Sequence, residues 1–437
     1  MRKVTTHFQA YRKPHDLTLK QAIVIGGGPA GITAALRLKQ LTDVNCTIYE
    51  LRPEPSTSGG AVGIFPNGLR LFSRLGLYEE LLKRGSSESV MSLHSMGGSL
   101  LGEQDMVHEV REEIGFGYLR IKRYKLLEAL LNAADTAQIP IHYGKRIISI
   151  TEDDSSVTAT FSDGTTDTAD FLLGCDGIHS AVRKLHVDPE QDPVYSGFAG
   201  VGSIISTAGL DVKGLKMLKG INATLTEQGA FAVMKVTPGG DEIFWGLSRQ
   251  VPLPEEGDTR DGWDETRKKQ VDGFKRSVMD IIGNVQGEWG DFIKSAVAKT
   301  EAVQFYPTFK LPAGRAWHKG RCLLLGDAAH AIPPHAGQGT SMVLEDVCLV
   351  SQLLKDPSRS FSEVCEEFEK FRKPRLAQVA EQTEKNAAIR KDTGPIGLKL
   401  KQFMIWAYFS AVWVMGRQPP MISTLGLLAY DVEAEVA

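Results

Sequence analysis

QAIVIGGGPAGITAALRLKQLTDVNCTIYE, residues 21–50, is the stretch from which the fold is read. Ala22 to Ile25 is a short β-rich apolar run, and Pro29 to Leu41 sets Ile32, Ala35, Leu36 and Leu38 at helical spacing. Cys46 to Glu50 has the pattern of a second short strand. Strand, helix and strand in so short a span predict a β-α-β unit and a parallel sheet. Between the first two lies Gly26-Gly27-Gly28-Pro29-Ala30-Gly31. Gly26 permits the tight turn, Gly28 lets backbone approach a pyrophosphate, and Gly31 lets helix and strand pack closely, with the helix N-terminus facing the phosphates. Glu50 ends the second strand 19 residues after Gly31, where a carboxylate can accept hydrogen bonds from a ribose diol. A lone G-x-G-x-x-G is weak evidence; turn, flanking elements and terminal acid together predict dinucleotide binding. They do not choose between NAD and FAD.

Composition is consistent with such a unit inside a larger chain. The 437 residues, 50 Lys+Arg against 53 Asp+Glu with a net charge of −3, are enough for two to three domains around a large core. The near-neutral balance argues against nucleic-acid binding, which normally shows a clustered basic excess. With 42% hydrophobic residues and 44 glycines in no strict period, disorder and collagen-like repeats are excluded. Cys46, Cys175, Cys322, Cys348 and Cys365 are odd in number and widely spaced without C-x-x-C, which predicts a reducing, cytoplasmic setting rather than disulfides or structural zinc. Met1 to Lys20 lacks the apolar core of a secretory signal. Phe403 to Gly416, FMIWAYFSAVWVMG, is apolar but shorter than the ~20 residues a bilayer span needs. It and the apolar Ile422 to Tyr430 predict a buried C-terminal helix and loop, a peripheral membrane or oligomer contact being the less favoured reading.

Further along, helical patterns follow at Asn67 to Leu75, Tyr78 to Lys83 and Tyr124 to Ala134. Residues 139 to 173 read as strands, Ile139 to Tyr143, Arg146 to Thr151, Val157 to Phe161 and Ala169 to Leu173, with an Asp163-Gly164 hairpin turn. Residues 194 to 250 are strand-like again and lead into the loop Val251 to Asp261. Helices around Asp264 to Ile282 and Trp289 to Ala298, a strand at Cys322 to Leu325 and a long helix at Gly339 to Lys355 complete the pattern. The interleaving predicts an α/β, Rossmann-like cofactor domain that is discontinuous, over 20–90, 115–190 and 300–375, with an inserted mostly β substrate domain over 91–114 and 191–299. A helical, apolar C-terminal segment fills 376–437.

Two more motifs carry chemistry. In Phe171-Leu172-Leu173-Gly174-Cys175-Asp176-Gly177-Ile178-His179-Ser180-Ala181-Val182-Arg183 a buried strand ends in an Asp-Gly turn and enters a helix. Asp176 and Ser180 read equally well there as turn and cap residues or as ligands. In Arg321-Cys322-Leu323-Leu324-Leu325-Gly326-Asp327-Ala328-Ala329-His330-Ala331-Ile332-Pro333-Pro334-His335-Ala336-Gly337-Gln338-Gly339-Thr340 a strand delivers Asp327 at its carboxyl end. A Pro- and Gly-rich loop then feeds a helix N-terminus suited to developing negative charge. His330 and His335 stand at no helical spacing and have no third ligand nearby, so no metal is expected.

In this order the three motifs resemble the single-component FAD-dependent aromatic monooxygenases, the group of p-hydroxybenzoate hydroxylase, salicylate hydroxylase and zeaxanthin epoxidase. The chain is more narrowly similar to fungal tailoring monooxygenases of secondary metabolism, over most of residues 20 to 375. The resemblance implies that Gly26, Gly28 and Gly31 hold the FAD pyrophosphate and Glu50 the adenosine ribose, with Arg52 toward the adenine. It places Gly63, in Gly59-Gly60-Ala61-Val62-Gly63, where backbone meets flavin. Arg123, in an R-x-x-L-x-x-x-L with Leu126 and Leu130, would contact the cofactor, and Asp176 would serve both FAD and passing NAD(P)H. Asp327 would bind the ribityl or pyrophosphate, and Gly339 and Thr340 would present backbone to the isoalloxazine.

One departure stands out. Tyr195-Ser196-Gly197 is followed by Phe198-Ala199-Gly200-Val201-Gly202-Ser203, without the Arg that steadies a phenolate in many such enzymes. No catalytic side chain is therefore carried over. The expected activity is NAD(P)H- and O2-dependent hydroxylation or epoxidation, through a hydroperoxyflavin, of a bulky aromatic, indole alkaloid or polyketide-type molecule. The strands Phe231 to Val236 and Ile243 to Leu247 would line the substrate chamber, although Phe231, Met234 and Trp245 read equally as plain core. Arg120, Arg249 and Tyr306 are unranked polar candidates near strand ends. The competing readings are a flavin reductase without oxygen insertion and a non-redox β-α-β binding protein.

Overall fold

A computed structural model describes residues 19–56, 59–252, 271–415 and 425–435. Expectations for the rest of the N-terminal lead-in, the loop up to Asp261, the helix start at Asp264 and the junction 416–424 lie outside the described residues.

The apolar run Gln21–Ile25 forms one of the two central strands of a six-stranded sheet. Its order is His318–Lys319, Cys322–Leu324, Phe171–Gly174, Gln21–Ile25, Asn45–Tyr49 and Ile141–His142, parallel except for the first pair. Strands buried on both faces read as continuous hydrophobic runs, and Ile23, Val24, Leu172, Leu173 and Leu323 lie in the main core. The registers Ile25↔Tyr49, Ile25↔Gly174 and Gly174↔Leu324 align the carboxyl ends of four strands along one edge. Helices Pro29–Leu41 and Gly339–Leu353 pack against each other beside this sheet.

A seven-stranded sheet runs in the order Gln304–Lys310, Val194–Ser206, Glu242–Gln250, Gly229–Lys235, Gly220–Thr226, Val90–His94 and Leu100–Asp105. Helices Val271–Ile282 and Gly287–Ala298 back it, and between them sits a second core of Phe231, Val233, Trp245, Leu247, Trp289 and Phe292. A meander of Ile147–Glu152, Val157–Phe161 and Thr166–Ala169, and a ribbon of Ala61–Ile64 with Leu119–Lys122, complete the sheets.

The structure departs from the sequence reading at three elements. The strand expected at Ala169 to Leu173 is two, Thr166–Ala169 of the meander and Phe171–Gly174 of the parallel sheet. They separate at Asp170, whose carboxylate accepts the N–H groups of Lys20 and Gln21 at 2.5 and 2.8 Å. Gln304–Lys310 pairs with Val194–Ser206, so the seven-stranded sheet extends past residue 300. The helix Phe361–Ile389 overlaps the helical segment expected from 376 but starts before it, where Ser360 and Glu363 form a capping box, a signal visible in S-x-x-E. All five cysteines are buried free thiols, and burial pushes those of Cys46 and Cys322 up to about 12. Among the described residues no helix is long and apolar enough to cross a membrane.

Candidate functional site

The glycine turn sits at the carboxyl end of Gln21–Ile25. Gly26 takes φ +112°, a region L side chains avoid, and a Cβ there would run into the Cys175 carbonyl. Its N–H donates to Tyr49 O at 2.8 Å. A Cβ on Gly31 would overlap the Gly26 carbonyl oxygen and come within 3.0 Å of Val24 Cγ1, so helix and strand are already in contact. Gly28 differs, because nothing lies within 4 Å of where its Cβ would be. It opens outward at the start of a helix whose first turn has no side-chain cap. Glu50 is held beside the turn, Oε2 accepting from Gly27 N at 2.8 Å and Oε1 from Arg52 N at 2.9 Å. The exposed Arg52 guanidinium lies 3.7 Å from the same carboxylate.

Asp176 caps the turn that follows it and keeps one carboxylate oxygen unengaged. Its Oδ2 accepts from Ala181 N at 2.6 Å and Val182 N at 3.2 Å, capping the following turn. Its Oδ1 is buried with no partner, and burial raises the carboxyl pKa. Asp327 is accessible, yet protein surrounds it so closely that burial raises its pKa, His330 and Arg123 opposing the rise and Asp346 adding to it. Asp327 is thus ringed by protein and still reachable by solvent. Arg123 therefore puts its charge toward Asp327, and its own N–H donates to Gly60 O at 3.0 Å. Gly339 is exposed with open space at its Cβ position and starts Gly339–Leu353, with Thr340 the second residue. At Gly63 the space of a side chain is filled by Tyr118, whose hydroxyl would lie 2.6 Å from a Cβ.

An open glycine at a helix start, an unpartnered buried carboxylate oxygen and an accessible acid lie along one sheet edge. They match the needs of an FAD diphosphate and its ribose and ribityl hydroxyls. Among the described residues one group with metal-ligand chemistry, Glu152, His186 and Cys322, brings ligand atoms within 4.8 Å. It lies at the other end of the strand Cys322–Leu324, and Glu152 Oε2 already accepts from Arg321 N.

Several residues that hold this edge in place escaped the sequence reading. Arg183 is fully buried and donates to the carbonyls of Ile178 at 2.5 Å and Ala328 at 2.7 Å, lacing the second motif to the third. Asp346 Oδ2 accepts from Gly326 N at 2.8 Å and lies 2.6 Å from His330 Nε2. Arg372 bridges Asp346 Oδ1 at 2.7 Å and Glu345 Oε2 at 2.6 Å, and Arg375 joins Glu345. Burial raises the Asp346 pKa, but His330 and Arg372 outweigh it and hold the carboxyl below its ordinary value. An ionised Asp346 is acceptor-only, so His330 Nε2 carries the hydrogen.

Two loops of this edge meet the seven-stranded sheet. Gly60 approaches Phe244 and Tyr306, and His335 packs edge-on to Phe198 at 4.9 Å. Strand alternation splits the expected chamber lining. Phe231 and Trp245 belong to the helix-backed core, while Phe244 faces Gly60 and lies over Gly202 and Gly246, which are paired in register. Gly200, on the same face, has open space above it. Tyr118, Arg120 and Lys122 share one face of the ribbon. Lys122 bonds Glu242 at the start of one strand of the sheet, and Tyr118 lies in a cluster with Met91 and Ile221 of its far strands. Arg120 stands between them, its Nε buried without a partner and no carboxylate paired with it among the described residues.

His335 Nε2 is likewise buried without a partner. Burial, with repulsion from Arg390, lowers its pKa from 6.5 to about 4. The unfolded ring takes a proton near pH 6.5 but the folded one only near 4, so stability is lost as pH falls through that window, by up to about 3 kcal/mol. His335→Asn is expected to flatten the acid limb of a denaturation-midpoint profile between those two pH values. An unchanged limb would refute the assignment.

The match to known proteins follows this geometry. Residues 20–383 fit the family described as FAD binding domain. The 6-hydroxynicotinate 3-monooxygenase of Pseudomonas fluorescens is 27% identical, covering 76% of this chain and 82% of that protein. The salicylate hydroxylase of Pseudomonas putida is 24% identical, over 82% of each. Among solved structures, Klebsiella pneumoniae HpxO complexed with FAD and uric acid superposes with a TM-score of 0.76 at 21% identity, covering 91% of this chain and 95% of that one. A salicylate hydroxylase substrate complex gives 0.72 at 21%, covering 96% and 97%. With a glycine turn, two strand-tip acids and an open helix N-terminus on one edge, and with relatives that are FAD-dependent monooxygenases, this chain belongs to the FAD-binding domain family of flavoprotein oxidoreductases.

Proposed function

We propose that the protein uses NAD(P)H and O2 to hydroxylate or epoxidise a planar aromatic metabolite. Indole- and polyketide-type rings of fungal tailoring chemistry fall within that class. The observation that carries the reading is the solvent-reachable Asp327 at the carboxyl edge of the parallel sheet, whose loops meet a sheet face where Gly200 leaves open space beside the Phe244 ring that covers Gly202 and Gly246. In this reading the parallel sheet is the cofactor domain and the seven-stranded sheet the substrate domain. Gly26, Gly28 and Gly31 would take the pyrophosphate, Glu50 the adenosine ribose, Asp176 and Asp327 further hydroxyls, and Gly339 with Thr340 the flavin edge. Bound there, FAD would supply the redox and oxygen chemistry that side chains lack.

The chain's own contribution is orientation and exclusion of water. Phe244 and Phe198 would bound the ring, and the loop Pro333 to Gly339 would close one side against solvent. Arg120, with a free Nε and no acid partner, would hold a substrate oxygen bearing negative charge, a role the strand after Tyr195-Ser196-Gly197 has no Arg to play. The relatives named for 6-hydroxynicotinate and salicylate act on rings of that kind.

The test is turnover. The purified protein should be yellow, consume NADPH faster when an aromatic substrate is added, and place one atom from O2 in the product by mass spectrometry. Reduction without oxygen incorporation would favour the reductase reading; a colourless protein that FAD does not reconstitute would end both. Arg120→Gln is expected to raise KM for a phenolate or carboxylate substrate about tenfold or more, with flavin content unchanged.

A further inference from the structure

The helix Pro395–Val414 has the form of a buried helix, one side of which none of the described residues covers. One face is docked. Leu398 and Val412 are buried, Phe409 lies against Gly102 of Leu100–Asp105, and Gln402 Nε2 donates to Leu225 O at 3.4 Å. The opposite face is also apolar. Ile396, Leu400, Phe403, Met404, Ala407, Ala411 and Val414 recur at helical spacing on one side. Ile396 is 83% exposed, Trp413 82% and Val414 75%, with Leu400, Phe403 and Met404 each more than half exposed and Trp406 half. A helix apolar all round is normally covered on every side, and exposed apolar surface of this extent marks an interaction site.

We infer that this outer face lies on the surface of an anionic lipid bilayer, with the helix parallel to the membrane plane. Crossing is ruled out by the docked face and by the helix's hydropathy. From Thr393 to Met415 the only charges are Lys399 and Lys401, and no carboxylate occurs in that span; Arg390, Lys391 and Asp392 stand just before it. A second copy of the same face would offer these lysines no counter-ion, whereas anionic headgroups do. Trp406, Tyr408 and Trp413 are the side chains that settle at the boundary between headgroups and acyl chains. The inference does not depend on the redox reading. It adds that the substrate sheet, carrying the helix on Leu100–Asp105 and Gly220–Thr226, would sit where apolar rings partition.

The experiment is co-sedimentation of the full-length, FAD-loaded protein with vesicles of phosphatidylcholine, alone and mixed with phosphatidylserine. Binding to the mixed vesicles is expected, weakened by salt, with a blue shift of tryptophan fluorescence. Phe403→Ser with Trp413→Ser should lower the partition coefficient about tenfold or more while leaving circular dichroism and the melting transition unchanged. Lys399→Gln with Lys401→Gln, on the same helix, should weaken binding to the mixed vesicles alone. Protein left in the supernatant would overturn the proposal. So would equal binding to both vesicles, or a dimer seen by light scattering that the Phe403 and Trp413 changes dissolve.

Discussion

Asp346→Ala is expected to destabilise the folded chain by about 3–5 kcal/mol, the usual cost of removing one partner from a buried ion pair, and to strip the protein of flavin as well. Asp346 lies in the helix Gly339–Leu353 and touches three groups at once: Gly326 N, His330 Nε2 and Arg372 Nε. Its loss leaves a buried N–H and a buried imidazole N–H without acceptors, and leaves Glu345 facing both Arg372 and Arg375. Gly326 sits at φ +61°, and the Asp346 bond helps hold that turn, which delivers Asp327 to the edge of the parallel sheet. Loss of stability should therefore come with a flavin-to-protein absorbance ratio far below that of the wild type. Asp346→Asn, which keeps one acceptor oxygen, should fall between the two. A stable Asp346→Ala protein that stays yellow would show that the network neither supports the fold nor positions the site.

Two glycines of the same turn should separate packing from ligand approach. Gly31→Ala drives a Cβ into the Gly26 carbonyl and against Val24, and overpacking of that kind costs about 1–3 kcal/mol. Both stability and flavin retention should drop. Gly28→Ala meets nothing within 4 Å and keeps an ordinary backbone at φ −84°, so stability should change by no more than about 0.5 kcal/mol. Flavin affinity should nevertheless fall about tenfold, because only the ligand comes close to that position. The readouts are a denaturant titration of the apoprotein and a fluorescence titration with FAD. Unaltered affinity in Gly28→Ala would remove Gly28 from the pyrophosphate contact.

These two residues also show what a linear chain displays. Gly26, Gly28, Gly31 and Glu50 were legible because turn, strand and helix propensities act over a few neighbours, and the four positions are fixed relative to each other by one β-α-β unit. Asp176 and Asp327 were legible as strand-tip acids for the same reason, and their lying on one edge follows from the parallel registers of their strands. Of Asp176 the chain could not say cap or ligand, since that depends on which of two oxygens finds a partner.

What the sequence by itself determined was the parallel sheet, its glycine turn and the acids at its edge, all written in contacts between near neighbours. Tertiary structure decided the rest, because the partners are far apart in the chain. Arg183 reaches Ala328, Arg372 reaches Asp346, and Gly60 meets Phe244 only after two sheets have packed. It also decided which parity of a strand faces the chamber, sending Trp245 into the core and Phe244 over the glycines. At the C-terminus it converted an expected buried helix into a half-covered one. An apolar run announces that it must be covered, but only the folded surface reveals which side the protein has left bare.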